Sequence, residues 1–87
     1  MAAYRLLIKA SAAKEIGAAG TKAGRQRLLE RIQALAFDPR IHGSEKLAGY
    51  ADRYRIRQGQ FRIVYLIDEE RREVTIFKVG HRKDVYR

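Results

Sequence analysis

Apolar and polar positions alternate at Tyr4, Leu6 and Ile8 against Arg5, Leu7 and Lys9, a period of two that predicts a first strand with one buried and one mixed face. Ser11 stands where it can cap a short helix over residues 12–19, a segment weakened by Gly17, Gly20 and an apolar side made mostly of alanine. Thr21 then caps a longer helix. In it Leu28, Leu29, Ile32, Leu35 and Ala36 share a stripe, while Arg25, Arg27, Glu30, Arg31 and Gln33 fall largely elsewhere. Asp38-Pro39 ends this helix, because a residue before proline avoids helical backbone angles. Residues 40–51 hold Gly43, Gly49 and scattered polar side chains, and read as a connection with a turn near Lys46 and Leu47.

Strands dominate the rest. From Asp52 to Gln58, Arg53, Arg55 and Arg57 alternate with Tyr54 and Ile56, which puts guanidinium groups on one face of a strand and apolar groups on the other. Gln58-Gly59-Gln60 is a hairpin turn in which glycine supplies a positive φ. Phe61 to Ile67 is nearly continuously apolar after Arg62, the pattern of a strand covered on both faces near the middle of a sheet. Asp68 to Arg72 is a charged turn, and Val74, Ile76, Phe77 and Val79 mark a last strand over residues 73–79. The order strand, helix, helix, three-stranded antiparallel meander predicts an α+β fold with both helices packed on one face of the sheet.

With 87 residues the chain has room for one domain, spanning residues 1–87. The absence of cysteine removes disulfides and thiolate metal sites, and two histidines far apart in sequence do not suggest a metal cluster. No metal or cofactor is expected. No apolar run reaches the roughly 18 residues of a membrane span, and Arg5 interrupts the first apolar stretch, so the expected location is the cytoplasm. A net charge of +9 changes the picture most, since it attracts polyanions or an acidic protein. The basic excess is spread over both halves of the chain, so the fold rather than a tail must gather it.

Arginine grips phosphate oxygens through paired charged hydrogen bonds, histidine moves protons near neutral pH, and tyrosine offers a stacking face with a hydroxyl. Arg53, Arg55 and Arg57 can hold successive phosphates, and Arg62 opens an otherwise apolar strand, where a charge is costly unless it meets a partner or an anion. His81, Arg82 and Tyr86 lie just beyond the last predicted strand, where a tail can fold over a bound strand. No catalytic triad, carboxylate pair, phosphate loop or metal-ligand spacing is present. RNA, however, carries its own nucleophile in the 2′-hydroxyl, and a protein that aligns it and neutralises the phosphate needs neither metal nor covalent residue.

Tyr54-Arg55-Ile56-Arg57, Phe61-Arg62-Ile63-Val64-Tyr65, the terminal Gly80-His81-Arg82-Lys83-Asp84-Val85-Tyr86-Arg87 and the helix end Leu35-Ala36-Phe37-Asp38-Pro39-Arg40 together resemble the RelE toxins of bacterial and archaeal toxin-antitoxin pairs, over nearly the whole chain. Lys46-Leu47-Ala48-Gly49 fits in order and spacing. The resemblance implies an α+β ribonuclease that works without metal and cleaves messenger RNA in the decoding site of the ribosome. It places the family's basic strand positions on Arg55 and Arg57, its phosphate arginine on Arg62, its tail arginine on Arg82 and its tail tyrosine on Tyr86. Lys46, Arg53, Arg55 and Lys83 are then expected to hold RNA, with Arg57, Arg62, His81, Arg82 and Tyr86 at the reacting phosphate. Some relatives carry lysine where this chain has Arg55 and Arg57. Arginine keeps its proton, which leaves charge stabilisation to Arg57 and proton transfer to His81 or Tyr86.

The resemblance also implies a RelB-like antitoxin, acidic where it wraps the toxin, and a hetero-oligomer of the two. Two rival readings remain, of which the first shares the fold. One is the ParE branch, which binds and poisons DNA gyrase; the other is a catalytically silent RNA-binding domain whose arginines only position phosphates.

Overall fold

The computed structural model describes residues 3–49 and 52–81. Strand β1 (Arg5–Ile8) leads into helices α1 (Ala10–Gly17) and α2 (Lys22–Phe37), then a short strand β2 (Glu45–Lys46) and the strands β3 (Arg53–Gln58), β4 (Phe61–Asp68) and β5 (Glu73–His81). They make one five-stranded sheet in the order β1-β5-β4-β3-β2. β1 runs parallel to β5, and the other neighbours are antiparallel. The apolar run of β4 therefore belongs to the central strand, as its composition predicts.

Both helices pack on one face of this sheet. Ile56, Ile63, Tyr65, Ile67, Val74, Ile76 and Val79 meet Ala12, Ile16, Leu28, Ile32 and Leu35 in a single cluster. Each large aliphatic side chain buried there contributes about 1.5–3 kcal/mol. Strand alternation then leaves Arg53, Arg55, Arg57 and Arg62 on the opposite face. Tyr65 is fully buried, and its hydroxyl donates to the Pro39 carbonyl at 2.6 Å, which ties the chain leaving α2 to the central strand. Burial pushes the Tyr65 phenol up to about 12.

Local chemistry sets most boundaries where the pattern placed them. The Thr21 hydroxyl caps α2 by accepting the Gly24 N–H at 3.0 Å. Gly59, with φ of 61°, leads a two-residue turn between β3 and β4, the role glycine takes in a type II′ hairpin. α1 differs: it starts at Ala10, so Ser11 lies inside the helix and caps nothing. Lys9 N–H still bonds the Ile76 carbonyl at 3.0 Å, and the chain passes from strand pairing straight into the helix. The expected fully buried face of β1 is also corrected. As an edge strand it leaves Ile8 exposed and Leu6 half-buried.

Two further corrections bear on function. The turn expected near Lys46 and Leu47 is the strand β2, paired through Glu45 with Arg55 and through Lys46 with Tyr54. β5 continues past Val79 to His81, so His81 belongs to the strand and not to a tail beyond it. A register shift opposite Val64 and Tyr65 leaves Phe77 without a counterpart on β4. Arg82, Lys83 and Tyr86 lie outside the described residues.

Candidate nucleic-acid interface

Cross-strand register assembles the site. Arg57 faces Arg62, and Gly80 continues the row on β5; in the next row Glu45, Arg55, Val64 and Lys78 stand side by side. Partners directly opposite share a face with Cβ atoms about 4.5–5.5 Å apart, so the Arg57 and Arg62 stems rise together. A cavity of about 380 Å³ opens here, lined by Arg31, Gly43, Glu45, Arg55, Ile56, Arg57 and Arg62. Four guanidinium groups face one carboxylate. Glu45 Oε2 lies 2.7 Å from Arg55 Nη2, and this hydrogen bond and charge hold the Glu45 carboxyl below the ordinary glutamate range. The arrangement can bind a phosphate or a nucleotide-sized polyanion, with Arg55 already oriented by its carboxylate.

Arg53 has a different setting. Its guanidinium lies 4.7 Å from the centre of the Phe77 ring, and Lys9 Nζ lies 4.4 Å from the same ring. Phe77, counted in the sequence as one more apolar strand residue, is thus a platform between two cations on the arginine face. At the other end of the sheet Glu69 accepts from Tyr4 at 2.8 Å and Arg40 at 2.9 Å, which keep its carboxyl below the ordinary range, and Arg40 also lies over the Tyr54 ring. That cluster joins the chain after α2 to the β4–β5 turn and stands apart from the cavity.

The structure brings Arg55, Arg57 and Arg62 together as expected, with Arg53 on the same face. It does not bring Lys46 or His81 to them. Lys46 is the partner of Tyr54, so alternation turns it toward the helix side, and Glu45 takes the place beside Arg55. His81 is the partner of Phe61, one residue out of phase with Arg62, and its ring meets Phe61 edge-on at 5.9 Å between centroids. Phe61 itself packs against the core cluster. Sequence reasoning missed Arg31 and Glu45. Arg31 sat on the polar side of a helix, and Glu45 sat in a segment read as a connection. Among the described residues no group of three or more histidines, cysteines or carboxylates could hold a metal ion. No helix among them is long and apolar enough to cross a membrane.

A helix pair on one sheet face and an arginine-lined cavity on the other define a small α+β domain with an anion-binding face. The chain belongs to the RelE/ParE superfamily of type II toxin-antitoxin toxins: residues 6–86 match the family described as ParE toxin of type II toxin-antitoxin system, parDE. It is 33% identical over 66 residues to Toxin RelG of Mycobacterium tuberculosis, spanning 70% of this chain and 76% of the relative. RelE in a RelE–RelB complex from Pyrococcus horikoshii OT3 superposes with a TM-score of 0.82 at 27% identity, covering 95% of this chain and 99% of that one. The isolated E. coli RelE toxin gives 0.77 at 31% identity, covering 91% and 84%. The chain is therefore a RelE-like type II toxin.

Proposed function

We propose that this toxin is a metal-independent endonuclease that cuts messenger RNA in the ribosomal A site and thereby inhibits translation in the cytoplasm. The observation that carries this reading is Arg57 directly opposite Arg62 across the β3–β4 pair, beside Arg55, at one cavity. Like charges placed opposite each other oppose folding, and a sheet that keeps them is suited to an anion. In this reading the 2′-hydroxyl of RNA attacks the adjacent phosphorus and the 5′-oxygen leaves, giving a cyclic phosphate and a free 5′-hydroxyl. Arg62 and Arg57 donate to the phosphate oxygens as negative charge builds, a contribution of about 3–4 kcal/mol for one well-placed donor. Arg55 and Arg53 hold flanking RNA, the latter through its place beside Phe77.

Arg82 and Lys83 join the phosphate contacts in this proposal, and Tyr86 carries the proton transfer that His81, packed on Phe61 away from Arg62, is badly placed to perform. The partner is a RelB-like antitoxin, acidic where it covers the arginine face, in a hetero-oligomer. The RelE–RelB complexes among the solved relatives and the +9 charge support it.

The name of the matching family favours a second reading, gyrase poisoning. Purified toxin separates the two. Primer extension on ribosome-bound messenger RNA should show new ends confined to the A site, with gyrase supercoiling unaffected. Inhibited supercoiling with intact RNA would select the second reading.

A further inference from the structure

Arg31 comes from α2, the helix that packs on the apolar face, yet it lines the same cavity as Arg55, Arg57 and Arg62 on the other side of the sheet. It can do so because β2 pairs with β3 only at Tyr54 and Arg55. The edge of β3 from Ile56 to Gln58 has no strand partner among the described residues. Gly43, at φ of 95°, lines the opening without a side chain, and a Cβ built there would lie 3.8 Å from Arg31 Nη2. The Nε of Arg31 is buried with no hydrogen-bond partner among the described residues, and the Nε atoms of the cavity-lining Arg55 and Arg62 are buried as well, so the guanidinium stem is held in place at the cavity wall. Neither Arg31 nor Arg57 forms an ion pair among those residues. A second cavity of about 260 Å³ continues along α2, lined by Arg27, Glu30, Arg31, Ala34 and Gln58.

We propose that Arg31 forms a second phosphate subsite at the open edge of β3, beside the Arg57–Arg62 pair. Resting on the nuclease reading above, it takes the RNA phosphate next to the scissile one and leads the strand over the edge of the sheet toward Arg27. Arg31 is a binding residue here, not one that touches the reacting atoms. Its guanidinium supplies the donors to the phosphate oxygens.

The test uses the free toxin, inorganic pyrophosphate as a two-phosphate probe, and a 2′-O-methyl RNA oligonucleotide that resists cleavage. Arg31→Ala is compared with Arg31→Lys, which keeps the charge should the alanine variant fold poorly, and with Arg71→Ala, which removes an exposed charge in the β4–β5 turn. Pyrophosphate should shift the Arg31 Nε–H signal in the nuclear magnetic resonance spectrum. Arg31→Ala should bind the RNA about five- to tenfold more weakly and lower the slope of log K against log salt by about 0.7, the amount expected for one phosphate contact on a single strand. Arg31→Lys should keep the slope, and Arg71→Ala should match the parent. On ribosomes, Arg31→Ala should raise the half-saturating concentration and leave the saturated cutting rate within about threefold of the parent. Arg31→Ala indistinguishable from Arg71→Ala in a toxin that still cuts RNA overturns the subsite and leaves the nuclease standing. A parent toxin that takes pyrophosphate at Arg31 but neither binds nor cuts RNA overturns both.

Discussion

Tyr65 shows how one side chain ties the fold to the site. It sits on the central strand, stacks on Tyr54 at 5.9 Å and donates to the Pro39 carbonyl. Tyr65→Phe removes that donor, leaves a carbonyl without its partner, and should cost about 1–2 kcal/mol in denaturant unfolding. The parent should also lose stability relative to Tyr65→Phe as pH rises from 10 to about 12. In that window the unfolded chain has released the phenolic proton and the folded chain has kept it, so unfolding gains on the order of 2 kcal/mol. At this scale the sequence was informative about residues whose environment follows from strand parity alone. Arg55, Arg57 and Arg62 were legible because β3 and β4 alternate without interruption. Arg31 was not, because a helical pattern says which side is polar and nothing about a sheet edge that stops short beside it.

Among the elements, β2 is the least evident in the sequence, yet it lines the arginine cavity through Glu45. Two residues paired on an edge leave no periodic signal, so the segment read as a connection, with Lys46 assigned to RNA. The pairing turns Lys46 away from the arginine face and puts Glu45 on Arg55. Glu45→Gln should strengthen RNA binding about two- to fivefold, measured by fluorescence anisotropy, because the carboxylate competes with phosphate for the same guanidinium. The same competition should fade in the parent as pH falls below the lowered range in which Glu45 protonates, so parent and variant converge in acid. The length of β5 was equally hidden. Glycine at position 80 reads as a strand end, but the ladder continues through Gly80 opposite Arg62 to His81 opposite Phe61. That extension fixes which face His81 occupies, and His81→Ala should accordingly leave single-turnover cutting within a few-fold of the parent.

For the whole molecule, element order predicted the helices on one sheet face but not the parallel docking of β1 against β5, which needs long-range pairing that no local pattern encodes. The charge of +9, in contrast, is plain from composition, and the fold concentrates four of its arginines around one cavity. Association with an acidic antitoxin should be electrostatically steered, so the on-rate should fall at least tenfold between low and physiological ionic strength while the off-rate changes little. Stopped-flow binding at several salt concentrations reads this directly, and an on-rate insensitive to salt would point to an apolar encounter instead.

The central claim is that the arginines facing one another on β3 and β4 act on a scissile RNA phosphate. Single-turnover cleavage of ribosome-bound messenger RNA by Arg62→Ala, at saturating toxin, tests it most directly. A fall of about 10²–10³ in rate with the fold and ribosome binding intact is the predicted result. Cutting at the parent rate by Arg62→Ala would contradict it.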